Sequence, residues 1–324
     1  DKSNPWETQA AFTDLLARAA KEKRPDFGFV HWFTHFDDAA AEKLLRTAKE
    51  YTGMARGLGA GDHDLLIADS VKPTPQLLML QKICAERSLP FYVIFSSDSH
   101  EVIANGFPFP FAVRDSMRKL QSWGFRDIMG SGPIPYFNQV NALAEKAFRW
   151  NPDQDPETFL ADLSVRQFGP EAGRVMYQAW EEIRDGMNVW KDATGHPFCG
   201  SYTLTALGFS YFPFAKAIVP DILQSYTSIP PEYPDRFQLM GMHLEKAAAL
   251  AKQAIDKADA THPIGINYYE GDSVPTMREY AELNYGPIAI ADTYCRLRCN
   301  VMGACHLLNG MEADRAAGNE AGAK

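Results

Sequence analysis

Two short stretches hold most of the residues whose types could carry chemistry. His31-Trp32-Phe33-Thr34-His35-Phe36-Asp37-Asp38 sets two imidazoles beside a carboxylate pair, and Ser96-Ser97-Asp98-Ser99-His100-Glu101 sets two carboxylates beside an imidazole. Proton transfer near neutral pH needs imidazoles, or carboxyls whose pKa the environment has moved. Glu101 precedes the apolar turn Val102-Ile103-Ala104, so partial burial would raise its pKa and hold it protonated as a donor. Asp98 and Asp37 are then the candidates for a base or nucleophile. The competing structural readings are an Asx turn at Asp98-Ser99 and a helix cap at Asp38. The two-residue period of a strand puts Phe29, His31, Phe33 and His35 on one face and Val30, Trp32 and Thr34 on the other. His31, His35 and His100 are candidates to bind substrate hydroxyls, and His31 and His35 alternatively to hold a metal with an aspartate.

Flat rings supply a second clue. Trp32, Phe107, Phe109, Phe111, Tyr136 and Phe137 lie in or beside the same loops, and Tyr202, Phe209, Tyr211 and Phe212 cluster in a Gly-containing connection. Rings beside carboxylates suit the C–H faces and hydroxyl rims of sugars, which makes Trp32, Tyr136 and Tyr202 candidate substrate contacts. The chain carries no G-x-G-x-x-G, phosphate loop, G-x-S-x-G or H-E-x-x-H, which disfavours dinucleotide, nucleotide, serine-hydrolase and zincin chemistry. No cofactor is implied.

The elements that must position these groups follow from the apolar pattern. Helical spacing over Trp6 to Lys23, with Phe12, Leu15, Leu16 and Ala19 as its apolar face, gives way after Pro25 to a strand over Phe27 to Phe33. A helix over Asp38 to Tyr51, a strand over Asp64 to Asp69, a helix from Pro75 to Glu86 and a strand over Pro90 to Phe95 follow. A helix over Val113 to Trp123 and a strand over Phe125 to Gly130 complete the series. Strands separated by helices require crossover connections, hence a parallel sheet whose reactive groups gather at the carboxyl ends of its strands. After residue 138 the strand signals stop. Helices are expected over Gln139 to Arg149, over Thr158 to Gln167 after the Asp155-Pro156 cap and closed by Gly169, and from Pro170 towards Asn188. Further helices are expected over Arg236 to Ala258, with Leu239, Met240, Leu244, Ala247, Ala251 and Ile255 along one face, and over Met277 to Asn309, before a tail from Glu312 that frays. The expected fold class is α/β, with parallel strands over residues 1–137 and an all-α helical bundle over residues 138–324.

The 324 residues carry 32 Lys and Arg against 41 Asp and Glu, a net charge of −9, with no basic cluster to track a phosphate backbone. Nucleic acid is a poor partner, and so is an anionic membrane. Tyr202 to Leu223 holds only Lys216 and Asp221 as charged residues but is broken by Pro213 and Pro220, so it does not read as a membrane span. Five cysteines are too sparse for a disulfide framework; Cys84, Cys199, Cys295, Cys299 and Cys305 read as free thiols, and no second ligand pair follows Cys295 and Cys299 at a recognised metal-site spacing. The expected composition class is soluble and globular, with the compartment open. The start at Asp1 without Met leads us to expect an upstream segment.

The segment Gly124-Phe125-Arg126-Asp127-Ile128-Met129-Gly130-Ser131, then Asn141 to Asp153, Phe159-Leu160 and Gln167-Phe168-Gly169-Pro170-Glu171-Ala172, resembles a particular junction. It is similar to the join between the last barrel strand and the C-terminal helical domain of large bacterial (β/α)₈-barrel glycoside hydrolases of the hexosaminidase-like and alpha-glucuronidase-like kind. Ser99-His100-Glu101 with Phe107-Pro108-Phe109-Pro110 looks like the preceding barrel loop. The likeness covers roughly Leu89 to Trp180. It implies half or part of a TIM-type (β/α) barrel followed by a helical domain, with the earlier strands supplied by an upstream segment or a second chain. It also implies glycoside hydrolysis through a carboxylate pair on a carbohydrate substrate. A non-catalytic carbohydrate-binding or scaffold barrel, and a metal-dependent barrel hydrolase using His31, His35 and Asp98, are the alternatives.

Overall fold

Helices begin where the chain supplies their caps. In the computed structural model, which describes residues 5–32, 38–56, 72–95, 107–130, 139–194, 233–265 and 274–319, five helices start at a proline, whose missing N–H has no partner to lose in a first turn. These are α1 (Pro5–Lys23), α3 (Pro75–Glu86), α4 (Pro110–Ser122), α6 (Pro156–Phe168) and α7 (Pro170–Thr194). The Thr74 hydroxyl accepts from the Leu77 amide at 3.1 Å ahead of α3, and Asp155 accepts from Thr158 at 3.0 Å ahead of α6. The remaining helices are α2 (Asp38–Thr47), α5 (Gln139–Trp150), α8 (Tyr233–Lys257) and α9 (Met277–Ala316). A reciprocal capping box between Thr276 and Glu279 opens α9.

Among the described residues four strands, β1 (Val30–Trp32), β2 (Gly53–Arg56), β3 (Phe91–Phe95) and β4 (Ile128–Gly130), form one sheet in the order β1-β2-β3-β4. All three pairings are parallel, with Val30 opposite Gly53, Met54 opposite Phe91 and Val93 opposite Ile128. The α/β class therefore stands. One correction concerns the second strand of the described sheet, which is Gly53–Arg56, where the sequence pattern gave no strand; the expected run over Asp64 to Asp69 lies outside the described residues. Gly53 sits where side chains crowd. A Cβ there would come within 3.0 Å of Tyr92 Cε2 and 3.2 Å of both Pro90 Cγ and Val30 Cγ2, so β2 starts on a residue that strand propensity penalises.

The chain divides into two compact units. The first holds residues 1–63, 71–96 and 118–132; the second holds 64–70, 97–117 and 133–324, so α4 starts in the second unit and ends in the first. In the first unit α1 packs on α2, α2 on α3, and α3 on β2 and β3. Leu44, Leu45, Met54, Leu80, Cys84, Val93, Ile94, Phe95 and Ile128 are buried there. Arg87, which follows α3, donates through Nη2 to the Ala48 carbonyl at 2.7 Å and through Nη1 to that of Leu45, closing the end of α2. The apolar face expected of α1 is a second correction. Phe12, Leu15 and Leu16 are 59%, 57% and 46% exposed, while Ala10, Thr13, Asp14 and Ala17 are buried. The inward face is chosen by small side chains and by Asp14, whose carboxylate accepts from the Lys49 and Glu50 amides at 2.9 Å each.

In the second unit α6, α7, α8 and α9 pack as a helical assembly. Phe168 stacks on Tyr280 at 5.2 Å and meets Trp180 edge-on at 6.0 Å. Gly173 lets α7 approach α6, since a Cβ there would lie 2.6 Å from the Ser164 carbonyl oxygen. Asn141 of α5 is fully buried; it accepts from the Phe109 amide at 2.8 Å and donates to the Phe107 carbonyl at 3.0 Å, tying residues 107–109 to its helix. Along α8, Met240, Leu244, Ala247 and Ala251 are buried as expected, but Leu239 is exposed. Helix α9 runs on to Ala316, through the start of the tail expected to fray.

Candidate functional site

A parallel sheet sends every strand out at the same edge. The four strands end at Trp32, Arg56, Phe95 and Gly130, and the register aligns those ends, with Trp32 opposite Ala55, Arg56 opposite Val93 and Phe95 opposite Gly130. Two of the four are followed directly by the polar stretches singled out in the sequence, and a third by the segment that holds Tyr136. Asp37 and His35 follow β1, Asp98, His100 and Glu101 follow β3, and Tyr136 follows β4. These six residues and Tyr202 lie outside the described residues. Trp32 is the last residue of β1.

His31 is described in full and shows how its local environment is set. Its Nδ1 lies 3.2 Å from the Tyr51 hydroxyl, and Phe29 stacks on the Tyr51 ring with centroids 6.0 Å apart. Tyr51 precedes β2, so the contact forms towards the amino ends of the strands, and the side chain of Thr13 on α1 also hydrogen-bonds this phenol. Burial pushes the Tyr51 phenol up to about 12, helped by the Asp14 charge and opposed by the Thr13 hydrogen bond and by Arg87. Burial also lowers the His31 pKa, favouring the neutral imidazole. A neutral imidazole against an un-ionised phenol positions groups rather than exchanging protons at neutral pH.

The second unit contains a cleft of about 440 Å³ lined by Gln178, Glu181, Glu182, Arg184, Asp185 and Lys246, with Leu250 at its side. Glu182 of α7 meets His243 Nδ1 of α8 at 2.8 Å and pairs with Lys246. Burial alone would raise the Glu182 carboxyl, but hydrogen bonds from Lys246 and His243 outweigh it and hold the carboxyl below its usual range. Next to it, burial and the charges of Asp185, Glu157 and Glu182 raise Glu181 against the pull of Arg184. Carboxyls moved in opposite directions are what a donor and an acceptor need, yet Glu182 is already spent bridging two helices. Sequence reading missed this cluster because Glu182 and His243 are 61 residues apart and share no local motif.

Among the described residues no group of three or more His, Cys, Asp or Glu is placed to hold a metal ion, and no helix is long and apolar enough to cross a membrane. Cys84, Cys295 and Cys299 are free thiols. Burial pushes Cys84 up to about 11 and raises Cys295 further, so both stay protonated and poorly nucleophilic. Comparison with protein-family models, with curated proteins and with solved structures finds no match.

Proposed function

We propose that the chain is a glycoside hydrolase, or the C-terminal part of one, built as part of a TIM-type (β/α) barrel followed by an all-α helical domain. The observation that carries the reading is the strand order. Among the described residues, strands taken in chain order are neighbours in space and all run parallel. A doubly wound sheet reverses its order at a switch point, whereas a (β/α) barrel proceeds around its axis in chain order. Support also comes from the polar stretches that follow β1 and β3 in the sequence, strands that end at the same edge of the sheet.

In this reading Glu101 protonates the leaving glycosidic oxygen as the C–O bond breaks, while Asp98 or Asp37 activates water or attacks the anomeric carbon. His35 and His100 take hydroxyls, and Trp32, Tyr136 and Tyr202 offer rings to the sugar C–H faces. His31, a candidate hydroxyl contact, is instead engaged with Tyr51 towards the amino ends of the strands, and its part is to hold β1 beside that residue.

The test is Glu101→Gln assayed on a panel of aryl glycosides with glycan binding measured in parallel. Turnover should fall by at least about a hundredfold with binding and helical content retained. Unchanged turnover removes Glu101 from the mechanism. Binding without cleavage by the native chain would instead favour a carbohydrate-binding protein.

A further inference from the structure

The longest helix leaves a regular apolar seam uncovered. On α9, 40 residues long, Leu283, Ile290 and Leu297 recur every seven residues and are 38%, 53% and 51% exposed. The same line continues through exposed Ala304 and Leu308 to half-exposed Met311. A seven-residue recurrence is the spacing with which one helix follows another, and here it spans about 42 Å at ~1.5 Å per residue. The opposite face is already used. Gly241 of α8 lies against Cys295, and the Arg278 amide donates to the Asp259 carbonyl, so α8 and α9 run antiparallel. With 25 residues, α8 reaches only to about the level of Ala304, leaving the last turns of α9 beyond it.

We propose that two copies of this chain pair through α9, antiparallel, about a two-fold axis passing Leu297. A two-fold interface must be complementary to itself, so each residue has to suit the one reached by reading the helix backwards from the axis. From Leu297 outward, Ile290 meets Ala304, Gly286 meets Leu308 and Leu283 meets Met311, setting a large side chain against a small or flexible one at each level. At each end Glu279 meets Arg315, an acidic residue against a basic one. A parallel pairing would put Glu279 on Glu279 and Arg315 on Arg315, and large on large between them. Charge and size therefore select the antiparallel arrangement with a second copy.

Sedimentation of the full chain across a hundredfold concentration range tests the pairing, which should give a species of twice the 36.2 kDa chain mass. Leu297→Glu, at an exposed position, should weaken association at least tenfold with helical circular dichroism unchanged. Geometry is read by mild oxidation against the native chain as background. Leu297→Cys should add a covalent dimer and Ile290→Cys should not, because antiparallel pairing separates the two copies of residue 290 by about 21 Å. A monomer at every concentration, a dimer indifferent to Leu297→Glu, or cross-linking at both positions would each overturn the proposal.

Discussion

At the scale of single residues, placement alters what a residue type can do. His31 is the case in point: beside Tyr51, burial lowers its pKa from the ordinary 6.5, so the unfolded chain takes up the proton more readily than the folded one. Its contribution is therefore fully present only well above pH 6.5 and is lost as pH falls through 6.5 towards and past the lowered folded value. Urea midpoints should drop between pH 7.5 and 5.5, and His31→Asn should flatten part of that drop; an unchanged slope in the variant would assign it to other groups. The residue types fit for proton transfer were legible in the two polar stretches. The partners of His31 were not, since Tyr51 and Thr13 lie on other elements and only folding joins them.

Among the elements, local chemistry was readable and burial was less so. Asp155-Pro156 and Pro75 announced helices because caps and first-turn prolines act within one turn. Strand β2 escaped notice because Gly53-Met54-Ala55-Arg56 has no β-branched or aromatic residue; its place is set by neighbours on both sides. Helix α1 misled for the opposite reason. Its apolar period is real, but the inward face is the one with small residues and Asp14. The α6–α7 contact makes a direct prediction. Gly173→Ala pushes a methyl to 2.6 Å from the Ser164 oxygen, and the backbone shift required should cost about 1–3 kcal/mol, read as a lower denaturant midpoint. Glu182→Ala should cost about 1 kcal/mol by unpairing Lys246 and His243, with a thermal shift as the readout.

For the whole molecule, the alternation of helix and strand was enough to foresee a parallel sheet, because crossovers leave no other arrangement. The assignment of residues 107–117 to the second unit was not foreseeable, because the buried amide of Asn141 grips Phe107 and Phe109 from across 32 residues of chain or more. Net charge acts at this scale as well. A surface carrying −9 at neutral pH loses its self-repulsion near the pI of 5.4, so solubility should pass through a minimum there in a precipitation series.

Arg87 carries one more implication. The residue that finishes α2 sits beyond α3, so the first strand-and-helix repeat borrows its closing piece from its successor. Such repeats cannot be excised, duplicated or shuffled one at a time without leaving an open helix end. Gene fusion or shortening in this region is thus constrained to cut after Arg87, and a recombinant boundary placed before it would yield a fragment that unravels from α2.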